Sequence, residues 1–251
     1  MSMTLSVVVP AYNEERTILQ VLLALQEKVP QITEIIVVDD GSRDQTAALV
    51  EKAAAADERI RLIRQPQNQG KTAALRTGFA ASNGDIVIVQ DADLEYDPAD
   101  IQHVIDPILE DKADVVFGSR FLVRRAARIL YFRHYMANRF LTFCSNLLTD
   151  INFSDVETCY KAFRGDIIRK MIITSSGFGF EIEVTAKIAK LGCRVYEVPI
   201  SYYGRTYQEG KKIGWKDGFD ALYYILKFNW FCSLKDSFTS QPVLLSSQNQ
   251  N

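Results

Sequence analysis

No CxxC pair occurs in this sequence. Its four cysteines, Cys144, Cys159, Cys193 and Cys232, are scattered through 251 residues, which argues against a structural zinc cluster and against a disulfide framework. Long apolar runs are missing too: no window approaches the roughly 18 uncharged apolar residues that would propose a membrane span. The start, MSMTLSVVVPAYNEE, has no basic leader and its apolar run stops at Pro10, so it reads as a first strand and not as a signal peptide. Net charge is formally only -2, which leaves no whole-protein electrostatic case for nucleic acid as a partner. Histidine is scarce: His103 lies in a helical stretch and reads as a surface residue, and His134, next to Arg133, reads as a neutral structural residue or as one approaching a phosphate held by Arg133. These absences set the expectation of a reduced, cytoplasmic protein.

What is present is an ordinary globular composition, 47% apolar and 24% charged, with enough chain for a substantial core. The apolar runs LSVVV (5–9), EIIVV (34–38), RIRLI (59–63), DIVIV (85–89) and DVVF (114–117) alternate with helical patterns at 14–28, 46–56, 71–81 and 98–110. That alternation predicts parallel βαβ units in a doubly wound sheet, and near-continuous apolar strands fit a sheet covered on both faces. After Gly118 the pattern changes. Residues 121–149 read as helical with interleaved arginines, followed by a helix near 179–191, a strand RVYEV (194–198), a polar loop 201–212 and an aromatic helix over 214–230. The expectation is one α/β domain over residues 1–236, a Rossmann-like, mostly parallel sheet with helices on both faces and a helical C-terminal elaboration. The polar tail 237–251 is expected to be disordered.

In such sheets the ligand crevice lies outside the carboxyl ends of the strands, so the segments PAYNEE, DDGSRDQT, QPQNQGKTAA, QDADLEYDP and GSRF should converge on one rim. In QDADLEYDP, Asp91 and Asp93 are two apart, which in an extended backbone points both carboxylates to one side. With an oxygen donor at Glu95, they suit Mg²⁺ or Mn²⁺, ions that keep waters and bridge substrate phosphates. Taken alone, the same acids also fit a strand-end turn leading into a helix capped near Asp97–Pro98. QGKT (69–72) is not a phosphate-binding Walker loop, which needs a glycine five residues before the glycine of its Gly-Lys pair, where this chain has Gln65. Lys71 therefore reads as a donor-pocket or helix-capping residue.

With PAYNEE, VVDDGSRDQT, NQGKTAALRTGF, QDADLEYDP and GSRF in this order, the chain resembles family 2 glycosyltransferases of the GT-A fold. Within them it is most similar to the dolichol-phosphate mannose synthase branch, whose members move a sugar from a nucleotide donor to a polyprenyl phosphate. The resemblance covers about residues 4–230. It implies that Pro10, Tyr12 and Glu14 sit at the base and ribose pocket, with Asn13 as a helix cap. Asp40 is implied at the base or ribose, beside a buried structural Asp39 and a tight turn at Gly41. Asp91 and Asp93 fall on the metal and diphosphate site, and Glu95 on a metal-side ligand position where relatives often carry Gln. Arg120 and Arg133 correspond to a pair that holds the acceptor phosphate, for which a planar guanidinium fork is suited. In SYYGRTYQEGKKIGWKDGF (201–219), Arg205, Lys211 and Lys212 resemble cations that grip the diphosphate on a loop hinged at glycines 204, 210 and 214. SDVETCYKAFR (154–164) and GFGFEIE (177–183) match acceptor-side segments, but TCYK stands where many relatives carry a Ser-Gly-Phe-Arg type sequence, which leaves the sugar open.

The implied reaction is a metal-dependent inverting transfer of a hexose, mannose or glucose, from a donor of the GDP-mannose or UDP-glucose type to dolichyl or undecaprenyl phosphate. A phosphate acceptor is already anionic, so a general base is less necessary than for a hydroxyl. Arg124, Arg125 and Arg128 among Leu122, Ile129, Leu130, Tyr131 and Phe132 read either as a solvated helix or as a segment lying on an anionic bilayer. The stretch 214–234 reads as a core helix or as an interfacial one. Membrane contact is then peripheral, at the cytoplasmic face, or made through a partner subunit. Two alternatives stay open. In one, a hydroxyl of a polysaccharide, glycolipid or protein is the acceptor and Asp155, Glu157 or Glu181 is an indispensable base. In the other, the protein is a nucleotide-sugar sensor that binds without turnover.

Overall fold

The computed structural model describes residues 3–122, 128, 131–204 and 215–244. Within them seven strands, β1 (Leu5–Ala11), β2 (Ile32–Asp39), β3 (Ile60–Arg64), β4 (Ile86–Val89), β5 (Val115–Ser119), β6 (Lys161–Arg164) and β7 (Val195–Pro199), form one sheet in the order β3-β2-β1-β4-β6-β5-β7. The helices are α1 (Ile18–Lys28), α2 (Thr46–Ala56), α3 (Lys71–Ala81), α4 (Ile101–Leu109), α5 (Phe132–Thr149), α6 (Gly165–Lys170), α7 (Phe180–Leu191) and α8 (Trp215–Trp230).

Successive residues Val7, Val8 and Val9 of β1, and Ile86 to Val89 of β4, are all sealed from solvent. Side chains alternate between faces along a strand, so both faces of the sheet are covered, and β-branched runs without a polar member are what such strands require. The helices supply matching stripes. Ile18, Val21, Leu22 and Leu25 of α1 are buried at the i, i+3, i+4, i+7 spacing, and Ile101, Val104, Ile105 and Ile108 of α4 repeat it. After β1 the chain builds β2 and β3 on one side, then returns to place β4 on the other. That reversal opens the crevice at the carboxyl ends of β1 and β4.

Several expectations are corrected. The sheet is mostly parallel, but β6 runs antiparallel to both β4 and β5, and neither it nor α6 was anticipated. Helix α1 starts at Ile18 and not near 14, because the preceding residues are tied to the loop after β2. The helix expected over 98–110 opens with a 3-10 turn, Pro98–Asp100, where the Asp97 carboxylate accepts from the Ala99 amide. The helix expected from 121 begins at Phe132; residues 123–127 and 129–130 lie outside the described residues. The tail is docked over its first part: Ser237 and Phe238 are buried, Ile172 donates to the Ser237 carbonyl and Thr239 to that of Lys170. Phe238 and Leu244 pack against the core, an apolar anchorage that the polar average of the segment hides. Residues 245–251 lie outside the described residues.

Candidate active site

The two loops that floor the crevice are laced together by side-chain to backbone bonds. Asn13, at φ 54, donates its amide to Ser42 Oγ (2.9 Å) and accepts the Arg43 amide on Oδ1 (2.9 Å). It is therefore not the cap of α1, as expected, but a clasp between loops. The Glu14 amide donates to Thr46 Oγ1 at 2.8 Å. Asp39 is buried. Gly41 turns at φ +70, and a Cβ there would stand 2.8 Å from the Asn68 nitrogen, so only glycine fits. Asp40 accepts the amides of Gln69 (2.9 Å) and Gly70 (2.7 Å), one on each carboxylate oxygen. Burial pushes its acid up, and those two amides pull partly against it. Its geometry fixes the loop that delivers Lys71.

Lys71 opens α3 and reaches across the crevice. Its Nζ lies 3.0 Å from Asp91 Oδ1 and 3.2 Å from Glu181 Oε1, with the Cys159 sulfur also at 3.2 Å. Burial alone would lower the pKa of this ammonium, but Asp91, Cys159 and Glu181 hold it well above the ordinary lysine value. Lys71 is a fixed positive charge in the wall.

The acids of the β4 exit reach the same cavity by a different route from the one expected. Residues 92–95 form a turn, with Leu94 at φ 63, so strand alternation does not govern Asp91 and Asp93. A leucine in the left-handed region costs on the order of 1 kcal/mol. Here the conformation is supported by the Glu95 amide donating to Asp93 Oδ1 at 3.1 Å, and by Tyr202 Oη donating to Glu95 Oε2 at 2.6 Å.

Arg120 follows β5 and Arg133 is the second residue of α5. The Arg120 fork is engaged: Nε and Nη2 donate to the two oxygens of Asp155 at 2.6 and 2.7 Å, and its guanidinium lies 5.2 Å from the Tyr202 ring centre. Burial would raise the Asp155 acid, but the Arg120 charge and hydrogen bonds hold it below the usual carboxylate range. Arg133 is exposed at the cavity edge.

All of these groups border one cavity of about 870 Å³. Pro10, Tyr12, Glu14, Asp40, Lys71, Asp91, Asp93, Glu95, Arg120 and Arg133 line it. Arg205, Lys211 and Lys212 lie outside the described residues. Sequence reasoning expected the segments holding Cys159, Tyr96 and Tyr202 at the site but gave these three residues no role, and it named Glu157 and Glu181 as candidate bases within acceptor-side segments; all five are in the wall. Glu157 is the unusual one. Burial, then the neighbouring Glu181 charge, pushes its acid up to about 7, against the pull of Lys161 and Arg120.

Among the described residues no three His, Cys, Asp or Glu side chains form a ready metal cage. Mg²⁺ or Mn²⁺ does not need one, since one or two carboxylates plus substrate phosphates and water complete its octahedron. The hard oxygens of Asp91 and Asp93 in one wall fit that requirement. Glu95 is a less available ligand because Tyr202 is hydrogen-bonded to one of its oxygens.

The model for glycosyl transferase family 2 matches residues 6–172. A polyprenol monophosphomannose synthase of Mycolicibacterium smegmatis is 29% identical over 215 residues, 83% of this chain and 80% of that protein. An undecaprenyl-phosphate mannosyltransferase of Micrococcus luteus is 28% identical over 217 residues, 82% and 86% of the two chains. Glucosyl-3-phosphoglycerate synthase of Mycobacterium tuberculosis, crystallised with Mn²⁺, uridine diphosphate and phosphoglyceric acid, superposes with a TM-score of 0.67 at 22% identity, covering 91% of this chain and 79% of that one. The last likeness establishes the shared fold.

Proposed function

The chain belongs to glycosyl transferase family 2, in the branch resembling dolichol-phosphate mannose synthase, and we propose that it moves mannose or glucose from a nucleoside-diphosphate sugar to a polyprenyl phosphate with inversion. It is a hexosyltransferase with the GT-A fold. The observation that carries the finer reading is that a single cavity is lined both by the carboxylates Asp91 and Asp93 and by the arginines Arg120 and Arg133.

In this reading Asp91 and Asp93 hold Mg²⁺ or Mn²⁺, which supplies charge neutralisation for the departing diphosphate. Lys71 adds a second fixed positive charge there. Pro10, Tyr12, Glu14 and the loop organised by Asp40 take the nucleoside, while Arg205, Lys211 and Lys212 are proposed to close over the diphosphate. Arg133 supplies a guanidinium for the acceptor phosphate, and Arg120, with Nε and Nη2 on Asp155, keeps its other N–H donors for the same anion. A phosphate oxygen forms a bond to the anomeric carbon as the bond from that carbon to the donor's phosphate oxygen breaks, its electron pair leaving with the nucleoside diphosphate. Catalysis is then positioning and charge compensation.

A lipid acceptor is supported by the surface beside the cavity. His134, Asn138 and Leu141 of α5 line the cavity, while Phe132, Met136, Phe140, Phe143 and Leu147 of the same helix are 49–73% exposed. On α8, Ala221, Ile225 and Phe228 are buried, as the core reading of that helix requires, whereas Phe219, Tyr223, Leu226 and Trp230 form a second exposed stripe, which supports the interfacial one. The two helices pack on each other. Arg128, Arg133 and Arg139 are exposed on or just before α5, which carries no Asp or Glu. Exposed aromatic residues beside a basic helix suit an anionic bilayer interface. Among the described residues no helix is long and apolar enough to cross a membrane, so the contact proposed is peripheral.

A hydroxyl acceptor is the second reading, and one observation favours it. Glu157, with its acid near 7, is suited to general-base work, whereas Asp155 is locked to Arg120. The deciding experiment offers GDP-mannose, UDP-glucose and UDP-N-acetylglucosamine with Mn²⁺ and a short polyprenyl phosphate or the matching polyprenol. Transfer to the phosphate alone is expected; transfer to the alcohol overturns the reading, and tight donor binding without any product supports a sensor.

A further inference from the structure

Two acids in the cavity wall have no task in the transfer as described. Glu157 sits in the 155–159 loop before β6, and Glu181 is the second residue of α7. Glu181 is 4% exposed, with Oε1 beside Lys71 at 3.2 Å. Its Oε2, and Oε1 of Glu157, are buried without any hydrogen-bond partner. Buried carboxylate oxygens in folded proteins are almost always satisfied, and isosteric apolar residues would relieve the cost of leaving them bare. Both side chains line the cavity, where a ligand can bring the missing donors.

The surroundings of Glu157 and Glu181 are rigid. The buried Lys161 ammonium donates to the carbonyls of Val156 and Thr158 on either side of Glu157. The Cys159 amide donates to Tyr96 Oη at 3.1 Å. On α7, Thr185 Oγ1 donates to the Glu181 carbonyl at 2.7 Å. These acids are held in place, not loosely presented.

The chemistry of the reactants narrows what they face. Diphosphate and acceptor phosphate are anions and would be repelled, and the polyprenyl chain carries no donors. Lys71 contacts Asp91 and Glu181 together, which puts Glu181 one ammonium away from the proposed diphosphate site. That diphosphate is joined directly to two groups with donor hydroxyls: the ribose, assigned above to the wall of Pro10, Tyr12 and Glu14, and the hexose at its other end.

We propose that Glu157 and Glu181 read the transferred hexose, taking hydrogen bonds from its ring hydroxyls and setting which sugar the cavity accepts. This rests on the nucleotide-sugar reading above. Because burial and Glu181 keep the Glu157 acid near 7, Glu157 can also donate to a hydroxyl oxygen near neutrality.

The test is calorimetric binding to the full chain with Mn²⁺ and no acceptor, comparing UDP with UDP-glucose and GDP with GDP-mannose. The wild type binds one nucleotide sugar more tightly than its nucleoside diphosphate. Glu157→Gln and Glu181→Gln each reduce that sugar-dependent gain about tenfold, the scale of one charge-assisted hydrogen bond. The nucleoside diphosphate affinity of Glu157→Gln stays within about twofold of wild type. A base acting only on the acceptor would leave this acceptor-free gain untouched, so retention of the gain in both variants overturns the proposal, as does equal loss for nucleotide and nucleotide sugar. Should the variants fail to fold, wild-type protein with singly deoxygenated hexose donors gives the same answer: at least one loses about tenfold, and uniform affinity across them overturns it. A wild type that binds neither nucleotide nor nucleotide sugar removes the transferase reading itself, and this inference with it.

Discussion

Arg120 and Asp155 form a two-point ion pair in which the carboxylate is wholly buried and the arginine side chain 12% exposed. The Arg120 amide adds a third bond to the same carboxylate at 3.1 Å. A buried pair broken from one side leaves an uncompensated charge, a cost of about 3–5 kcal/mol. Asp155→Ala is therefore expected to lower unfolding stability by roughly that amount in denaturant titration, and Arg120→Ala by a similar amount. Loss of activity in either variant then reports on folding as well as on the acceptor. A loss below about 1 kcal/mol, the scale of an exposed pair, would show that the pairing is dispensable.

Arg133 is the cleaner probe of the acceptor because it is exposed and the described residues give it no carboxylate. Arg133→Ala is expected to raise the KM for polyprenyl phosphate at least tenfold, the loss of one charge-assisted bond, with donor affinity and melting temperature unchanged. Equal losses for donor and acceptor in steady-state kinetics would remove Arg133 from that role.

Asp93→Ala is expected to abolish transfer while leaving the fold intact, since Asp93 borders the cavity and is not part of the buried core. Chelation of divalent ions from the wild type should give the same loss, reversed by Mn²⁺. A variant that turns over normally after chelation would exclude the metal assignment.

Much of this was legible in the sequence because the first half of the chain obeys local rules. The helices over 46–56 and 71–81 are found as predicted, since apolar periodicity and a sealed parallel sheet leave few alternatives. Strand β6 was hidden because KAFR holds two cations in four residues. Lys161 is nevertheless fully buried, its ammonium 4.4 Å from the Phe117 ring centre and bonded to loop carbonyls, which only tertiary packing can arrange. Asn13 was mistaken for a cap because its partner Arg43 lies across a loop. Asp91 and Asp93 both border the cavity, but through a turn at Leu94 and not through the strand alternation that was expected. Cys159 gave no signal of its own: its segment 154–164 was expected on the acceptor side, but a single thiol carries no spacing to read.

The exposed stripes of α5 and α8 predict a measurable affinity for lipid. Flotation with vesicles containing phosphatidylglycerol should recover the protein, and neutral phosphatidylcholine vesicles should recover much less, because each arginine near an anionic surface contributes about 1 kcal/mol. Replacing Phe132, Phe140 and Phe143 together by serine should abolish flotation without lowering stability, as all three side chains are more than half exposed. Recovery by neutral and anionic vesicles alike would remove the electrostatic part of the argument.

The elevated acid of Glu157 predicts a pH dependence of stability whose sign follows from proton linkage. Folded Glu157 keeps its proton up to about 7, pushed there by burial and then by Glu181, with Asp155 adding to the push and Lys161 and Arg120 opposing it. The unfolded side chain releases its proton near the ordinary value of 4.5. Between those two values the native state binds more protons than the unfolded state, so stability falls as pH rises, by at most about 1.4 kcal/mol per pH unit. Lys161 acts in a separate window. Burial lowers its pKa from 10.5 to about 8, so between those values the unfolded state holds the extra proton and stability rises with pH. Denaturant unfolding of wild type and Glu157→Gln from pH 4 to 8 should therefore show the two stability curves converging or crossing as pH increases, the variant gaining on the wild type above pH 5. Parallel curves would mean that Glu157 ionises in the folded protein as freely as in water, and that its carboxyl does not carry a proton into the sugar subsite at neutral pH.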